Sequence, residues 1–176
     1  MSTKKFISKS VRSTKEIAAK FAGQILRSRL QSNRGSTMKS GQKPSKSAVV
    51  LALQGELGSG KTTFLQGFAK GLGIKEKILS PTFIVMKKFK IPKKISIAYS
   101  LRPQGVCYKY FFHFDCYRLN SEKDLEGLGF KEIISNPQNI VAIEWPEKIK
   151  SLLPKNKISI KFKHINKTTR NLTIIK

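Results

Sequence analysis

A strand, a glycine-rich loop and a helix follow one another between Ala48 and Gly73, and they constrain the fold more than any other stretch of the chain. The run from Ala48 to Leu53 is entirely apolar, as expected of a parallel strand covered on both faces. The letters GELGSGKT, which begin at Gly55, then fit G-x-x-x-x-G-K-[ST], the Walker A phosphate loop. Apolar residues recur at helical spacing as far as Leu72. The stretch therefore predicts nucleotide binding.

Each residue type in this loop has a physical role in binding phosphate. Glycine permits backbone angles that are closed to other residues, so consecutive N–H groups can converge on an anion. The first turn of the next helix adds unpaired N–H groups and the positive end of its dipole. Lys61 is expected to reach the β- and γ-phosphates during hydrolysis, and the Thr62 hydroxyl to bind Mg²⁺. We expect Gly71 and Gly73 to end the helix.

Length, hydropathy and cysteine content exclude several classes of protein. The 176 residues suffice for one domain with a single sizeable core. No apolar run approaches the roughly 18 residues needed to cross a bilayer, so we expect no membrane association. Cys107 and Cys116 form no C-x-x-C pair, and His113 and His164 are too scattered for a zinc site. A reducing, cytoplasmic compartment is expected.

Charge is distributed unevenly along the chain. There are 35 Lys and Arg against 10 Asp and Glu, a formal net charge of +25. The excess either spreads over solvated faces or binds polyanions through phosphate contacts. Seven of the ten acidic residues fall between positions 115 and 147: Asp115, Glu122, Asp124, Glu126, Glu132, Glu144 and Glu147. In a chain poor in carboxylates, this cluster is where metal ligands are expected.

The first 47 residues contain one acidic residue, Glu16, among many Lys, Arg and Ser. Such a composition also occurs in mitochondrial transit peptides. A structural helix docked on the sheet is favoured, because one face of it would carry Ile17, Ala18, Phe21, Ala22, Ile25 and Leu26. Thr14 or Ser13 could cap its start. We expect residues 1–30 to form a strand and helix docked on the core, and 31–47 to be a flexible basic linker.

Hydrophobic patterns downstream predict the rest of a mixed sheet. A Ser-Pro-Thr turn should enter a strand over 83–89, and 91–104 should form a long hairpin connection to an antiparallel strand over 106–115. Three further features are expected: a capping-box helix from Ser121-x-x-Asp124 to Gly127 or Gly129, a buried strand over 140–143, and a terminal hairpin of strands over 158–162 and 172–174. The fold class is α/β, a single-domain phosphate-loop NTPase fold whose core, 48–176, has a central mixed β-sheet flanked by helices.

An enzyme with a phosphate loop needs an acid at the end of a neighbouring strand to hold Mg²⁺ directly or through water. Two residues qualify, Asp115 and Glu144, since each ends an apolar strand. Thr82 could donate its hydroxyl to the γ-phosphate or to the attacking water. His113 is interpreted as a strand-face residue and is assigned no proton transfer. The residues alone leave open which acid holds the metal.

Several motifs in a fixed order make the chain resemble one family. GELGSGKTTF, SPTF, HFDCYRL, LEGLGF and IEWPE followed by LLP are similar to the ordered motifs of the TsaE (formerly YjeE) family, over roughly Ala48 to Pro154. Members are small bacterial ATPases needed to make threonylcarbamoyladenosine in tRNA. The chain departs from the pattern in its basic linker, 31–47, and in its extended hairpin connection, 90–105. Neither departure touches the nucleotide-binding motifs.

The resemblance implies a role for each matching residue. The residues that would cradle ATP are Glu56, Leu57, Gly58, Ser59, Gly60, Lys61, Thr62 and Thr63. Thr62 and Glu144 would bind Mg²⁺. Asp115 would be needed for hydrolysis, and Thr82 would lie near the γ-phosphate. Thr14 matches the family's N-terminal nucleotide-contacting threonine. That the nucleotide is ATP comes from the resemblance alone.

The implied function is a Mg²⁺-dependent ATPase that assists the TsaD and TsaB subunits of the threonylcarbamoyl transferase complex, with tRNA as an indirect partner. The main alternative is a small-molecule or nucleoside kinase. A kinase usually needs an arginine-rich lid, whereas the segment after Leu119 is acidic and lacks arginine. A nucleic-acid-binding protein would interleave basic residues with exposed aromatic ones, but the aromatic residues here mostly lie in apolar strands.

Overall fold

The computed structural model describes residues 2–31, 47–79, 85–93 and 108–176. The strands, in chain order, are β1 (Thr3–Ser8), β2 (Val49–Gln54), β3 (Met86–Lys90), β4 (Tyr110–Asp115), β5 (Asn139–Glu144), β6 (Ile158–His164) and β7 (Arg170–Ile175). The α-helices are α1 (Val11–Gln31), α2 (Lys61–Gly71) and α3 (Phe130–Ser135), and 3₁₀ segments span Glu122–Leu125 and Pro146–Leu152.

These strands form one mixed sheet in the order β1-β7-β6-β2-β5-β4-β3. The four strands β6, β2, β5 and β4 run parallel to one another. The outer pairs β1–β7, β7–β6 and β4–β3 are antiparallel, which confirms both predicted hairpin pairings. Because β2, β5 and β4 are parallel, their carboxyl ends meet at one edge of the sheet, where ligands bind in open α/β folds.

Hydrophobic clusters cover the central strands on both faces. On one face, Leu51 and Leu53 of β2 pack under α1 and α2. On the other, Val50 packs under α3 and the two 3₁₀ segments, where Phe114 and Phe130 meet edge to face with ring centroids 5.2 Å apart. Burial on both faces explains why the predicted strands over 48–53 and 140–143 are continuous apolar runs. Both strands are confirmed as β2 and β5.

The N-terminal helix is confirmed, but its start and its main neighbour differ from the prediction. The helix begins at Val11, where the Ser10 hydroxyl accepts the Ser13 N–H at 3.0 Å. Ser10 is therefore the cap, and the predicted cap by Ser13 or Thr14 is wrong. The helix packs mainly on α2 rather than directly on the sheet, and the Phe21 ring lies 6.2 Å from that of Phe68.

Two glycines of α2 allow this close helix contact. A Cβ on Gly71 would lie 2.7 Å from the backbone oxygen of Ala19, and one on Gly67 would collide with the backbone of Lys15. Gly71 therefore serves helix packing, and because it is also the last helical residue, the predicted end of the helix is confirmed. Gly73, with φ 76°, ends the helix as predicted.

The predicted capping box is confirmed downstream. Ser121 and Asp124 form it at the start of the 3₁₀ segment Glu122–Leu125. Several other predictions fall on residues outside the description: the basic linker over 32–46, the turn and strand start over 80–84, which contain Thr82, and most of the hairpin connection over 94–107.

Candidate functional site

The phosphate loop joins β2 to α2 at the carboxyl edge of the sheet. Gly55 opens it with φ 151°, and a Cβ there would lie 2.8 Å from the backbone oxygen of Phe162 on β6. Gly60, with φ 99°, precedes the first residue of α2. A positive φ at both positions suits glycine and not residues with a side chain. The loop thus delivers the amino end of α2, with its unpaired N–H groups, to a cleft.

Lys61 is buried at the start of α2, folded back on its own loop. Its ammonium group donates to the carbonyl oxygens of Gly55 at 2.7 Å and Glu56 at 2.9 Å. The same Nζ lies 4.1 Å from the ring centroid of Trp145, in cation–π geometry. Desolvation holds the pKa of Lys61 below its usual range, while Glu144 and other carboxylates of the cleft act in the opposite direction. Lys61 is therefore held by two loop carbonyls and the Trp145 ring, close to where phosphate would bind.

Thr62 and Glu144 meet across the cleft. The Thr62 hydroxyl lies 3.0 and 3.2 Å from the two carboxylate oxygens of Glu144. Glu144 ends β5 in register with Leu53 of β2 and Asp115 of β4, and its side chain is only 3% exposed. A buried carboxylate next to a hydroxyl offers the hard oxygen ligands that Mg²⁺ takes in such sites. The geometry brings together the two residues predicted to bind the metal.

His113 provides the second contact to that carboxylate, which the sequence did not predict. Its Nε2 lies 2.9 Å from Oε1 of Glu144, and the ring is fully buried. Its Nδ1 has no partner among the described residues. Because a carboxylate only accepts, Nε2 carries the proton and donates. The signal was present in H-x-D, since alternation along a strand places His113 and Asp115 on the same face of β4.

Asp115 and two aromatic residues complete the cleft. Asp115 is half-buried at the end of β4, and its carboxylate accepts the Tyr117 N–H at 3.1 Å. The Tyr117 and Trp145 rings lie 4.9 Å apart. Trp145 has φ 58° and ψ 51°, a backbone conformation that costs a non-glycine residue on the order of 1 kcal/mol or more. This conformation directs the chain from β5 into the 3₁₀ segment while the indole covers Lys61.

Most of the predicted site residues lie together. The cleft is lined by Leu57, Gly58, Ser59, Gly60, Lys61, Thr62, Thr63, Asp115, Tyr117, Glu144 and Trp145. Glu56 is at its margin, exposed, and contributes its carbonyl to Lys61. Thr14 is not among these lining residues; it is buried on α1 with its hydroxyl oxygen 2.7 Å from that of Ser8. Its predicted nucleotide contact stays a prediction, as does the role of Thr82.

Comparison with known proteins decides the family. A family profile described as "Threonylcarbamoyl adenosine biosynthesis protein TsaE" matches residues 8–172. The chain belongs to the TsaE family. Two relatives, both named tRNA threonylcarbamoyladenosine biosynthesis protein TsaE, illustrate the similarity. That of Bacillus subtilis is 36% identical over 124 residues, which are 70% of this chain and 67% of the relative. That of Treponema pallidum is 32% identical over 125 residues, 71% of this chain and 80% of the relative.

The fold agrees with this TsaE membership. The crystal structure of Bacillus subtilis YdiB superposes with a TM-score of 0.59 at 25% sequence identity, covering 98% of this chain and 84% of that one. Both the phosphate-loop fold and the mixed sheet flanked by helices are as predicted. In the described residues, no helix is long and apolar enough to cross a membrane.

Proposed function

We propose that the chain is a Mg²⁺-dependent ATPase that assists the TsaD and TsaB subunits of the threonylcarbamoyl transferase complex in tRNA modification, in the cytoplasm. One observation carries the proposal: the Thr62 hydroxyl and the Glu144 carboxylate lie 3.0 Å apart beside a phosphate loop. Thr62 follows the loop lysine, where the metal-binding hydroxyl of a phosphate-loop NTPase is found. Glu144 supplies the strand-end carboxylate that the same chemistry needs.

The donor set fits a magnesium nucleotide better than an all-protein metal site. Among the described residues, no group of three or more His, Cys, Asp and Glu side chains could hold a metal. Thr62 and Glu144 would therefore share the ion with phosphate oxygens and water, as Mg²⁺ usually requires. Bound there, Mg²⁺ would supply positive charge to the β- and γ-phosphates. Ser59, whose buried hydroxyl has no partner among the described residues, fits the same phosphate cradle.

The chain's own residues account for binding and for water activation. Lys61 would exchange the neutral carbonyl acceptors of Gly55 and Glu56 for anionic phosphate oxygens, so that both partners of the hydrogen bond carry charge. His113 would keep the Glu144 carboxylate oriented toward Thr62. Asp115, at the end of the neighbouring strand, would orient the attacking water or accept its proton.

We also propose that the isolated chain hydrolyses ATP slowly. Phosphoryl transfer usually needs a cation that neutralises charge on the transferring group. Arg118 is the only arginine between Arg102 and Arg170, and it is exposed just past the end of β4. A group supplied by a partner would then govern the rate, and such groups increase rates by roughly a thousand-fold or more elsewhere.

Phosphate release tests this function directly. It should be measured with the chain alone, with the TsaD–TsaB pair, and with the pair plus tRNA, each with and without Mg²⁺. We expect slow Mg²⁺-dependent release alone and acceleration by the pair. Fast release that the pair leaves unchanged would contradict partner dependence. Transfer of phosphate to an added nucleoside or small-molecule acceptor would favour the kinase alternative.

A further inference from the structure

Strands β1, β7 and β6 form a wing of the sheet that is packed on one face and, as far as the described residues go, open on the other. Phe6, Leu172 and Ile160 point into the core beneath α1 and α2. The alternate residues point the opposite way, and the hydrophobic cluster on that side contains no residue of these three strands. We call this open surface the wing face; its side chains, all exposed or half-exposed, are Thr3, Lys5, Ile7, Ser159, Lys161, Lys163, Asn171, Thr173 and Ile175.

Strand register arranges the lysines of the wing face in rows. Lys5 pairs with Thr173, which pairs in turn with Lys161, so the two lysines flank one threonine. Lys163 pairs with Asn171 in the next row on the same face. With strands about 4.8 Å apart and a rise of about 3.4 Å per residue, the Cα atoms of Lys5 and Lys161 are roughly 10 Å apart, and those of Lys161 and Lys163 roughly 7 Å.

Asp and Glu are absent from these three strands and from the parts of the sequence on either side of them. β1, β6 and β7 contain no Asp or Glu. After Glu147 the chain carries nine Lys and Arg and no acidic residue, and the first acidic residue from the N-terminus is Glu16. The acidic residues instead concentrate in 115–147, on the other side of β2 in the sheet order. The charge of the wing face is therefore uncompensated on its own strands.

We propose that the wing face binds the phosphate backbone of RNA. An open sheet with uncompensated lysines in rows is complementary to a phosphodiester chain, and displaced counterions would favour the contact. The choice of RNA over other polyanions rests on the proposed function in tRNA modification. The wing face carries no aromatic side chain that could stack on bases, so its contacts position the RNA without reading its sequence.

The wing face and the nucleotide cleft are separate surfaces of one domain. None of the residues that line the cleft belongs to β1, β6 or β7. The phosphate loop itself approaches β6 only on the core side, where a Cβ on Gly55 would lie 2.8 Å from the backbone oxygen of Phe162. RNA and nucleotide can therefore occupy the protein together, and the two activities can be measured independently.

The test compares two triple variants of the full chain with equal loss of charge. The first is Lys5→Gln, Lys161→Gln and Lys163→Gln, which neutralises the wing face. The matched control is Lys123→Gln, Lys131→Gln and Lys148→Gln, three exposed lysines among the acidic residues. Binding of fluorescently labelled tRNA is measured by anisotropy over a salt series around 150 mM. Thermal unfolding and Mg²⁺-nucleotide binding are recorded for each protein.

The wing-face variant should bind tRNA about tenfold or more weakly at that salt concentration. Its plot of log affinity against log salt should become shallower by about 3, because each substituted lysine no longer neutralises a phosphate. The control should be weakened much less, and both variants should bind nucleotide as the parent does. Equal weakening by the two variants, or no weakening by either, would overturn the proposal. Failure of the parent itself to bind nucleotide would instead count against the proposed ATPase.

Discussion

The cleft and the wing face use polar residues in opposite ways. In the cleft, Lys61, His113 and Glu144 are buried and held by specific hydrogen bonds. On the wing face, Lys5 and Lys161 are exposed and have no acidic neighbour on their strands. Buried polar groups depend on each individual contact, because an unsatisfied one is costly. Exposed charges attract a polyanion through the total charge of the surface, to which each one contributes a small part. Single substitutions should therefore be decisive in the cleft and mild on the wing face.

The largest effect is expected from Lys61→Ala. This change removes the cation that would leave the loop carbonyls for phosphate, so ATP hydrolysis should fall by about 100-fold or more. The fold should survive, because the lysine contacts backbone atoms of its own loop and one ring. Phosphate release measures ATP hydrolysis, and thermal unfolding measures the stability of the fold. Lys70→Ala, at an exposed position of the same helix, is the matched control. Hydrolysis near the parent rate in Lys61→Ala would refute the phosphate-loop assignment.

Glu144→Gln and Asp115→Asn should differ in their response to metal. If Glu144 is the direct ligand, its neutralisation should raise the Mg²⁺ concentration needed for activity and for nucleotide binding. If Asp115 positions water, its neutralisation should lower turnover at saturating Mg²⁺ with little change in nucleotide affinity. Titrating Mg²⁺ against both readouts separates the roles. Exchanged phenotypes would reverse the assignment, and two unaffected variants would eliminate it.

His113 should have a weaker effect in the same direction as Glu144. His113→Leu removes the donor to Oε1 of Glu144 and should raise the Mg²⁺ requirement about tenfold, as is typical when the partner of a metal ligand is removed. His113→Gln keeps a donor of similar reach and should restore much of the affinity. Mg²⁺-dependent nucleotide binding, followed alongside thermal unfolding, provides the measurement. A purely structural role would lower the unfolding temperature in His113→Leu without changing the Mg²⁺ dependence.

Local patterns predicted the elements whose chemistry is local. The apolar run before Gly55, the glycine at Gly73 and the capping box at Ser121 each specify structure within a few residues, and all three are confirmed. That a strand-end acid would meet Thr62 was also predictable, because parallel strands bring their carboxyl ends together. The choice of Glu144 over Asp115 came from the resemblance to the family.

The features that the sequence patterns did not predict depend on contacts between distant segments of the chain. The pairing of β1 with β7, which creates the wing, joins opposite ends of the chain and has no local signature. Gly71 was expected to end a helix, and only the position of Ala19 on α1 shows that it is needed for packing. The left-handed backbone of Trp145 has no local signal either, because tryptophan rarely adopts it. The strand pairing, the role of Gly71 and the backbone of Trp145 are each determined by tertiary packing and not by local sequence.

The smallest effect is expected from a change on the wing face, where Thr173 lies between Lys5 and Lys161. Thr173→Val exchanges a hydroxyl for a methyl on a solvated strand and should change the free energy of unfolding by no more than about 0.5 kcal/mol. Its neighbour supplies the contrast: Leu172 is fully buried, and Leu172→Ala should cost about 2–5 kcal/mol. Urea unfolding of both variants measures the difference. Comparable destabilisation by the two would mean that the wing is packed on both faces, and the surface proposed for RNA would then not be open.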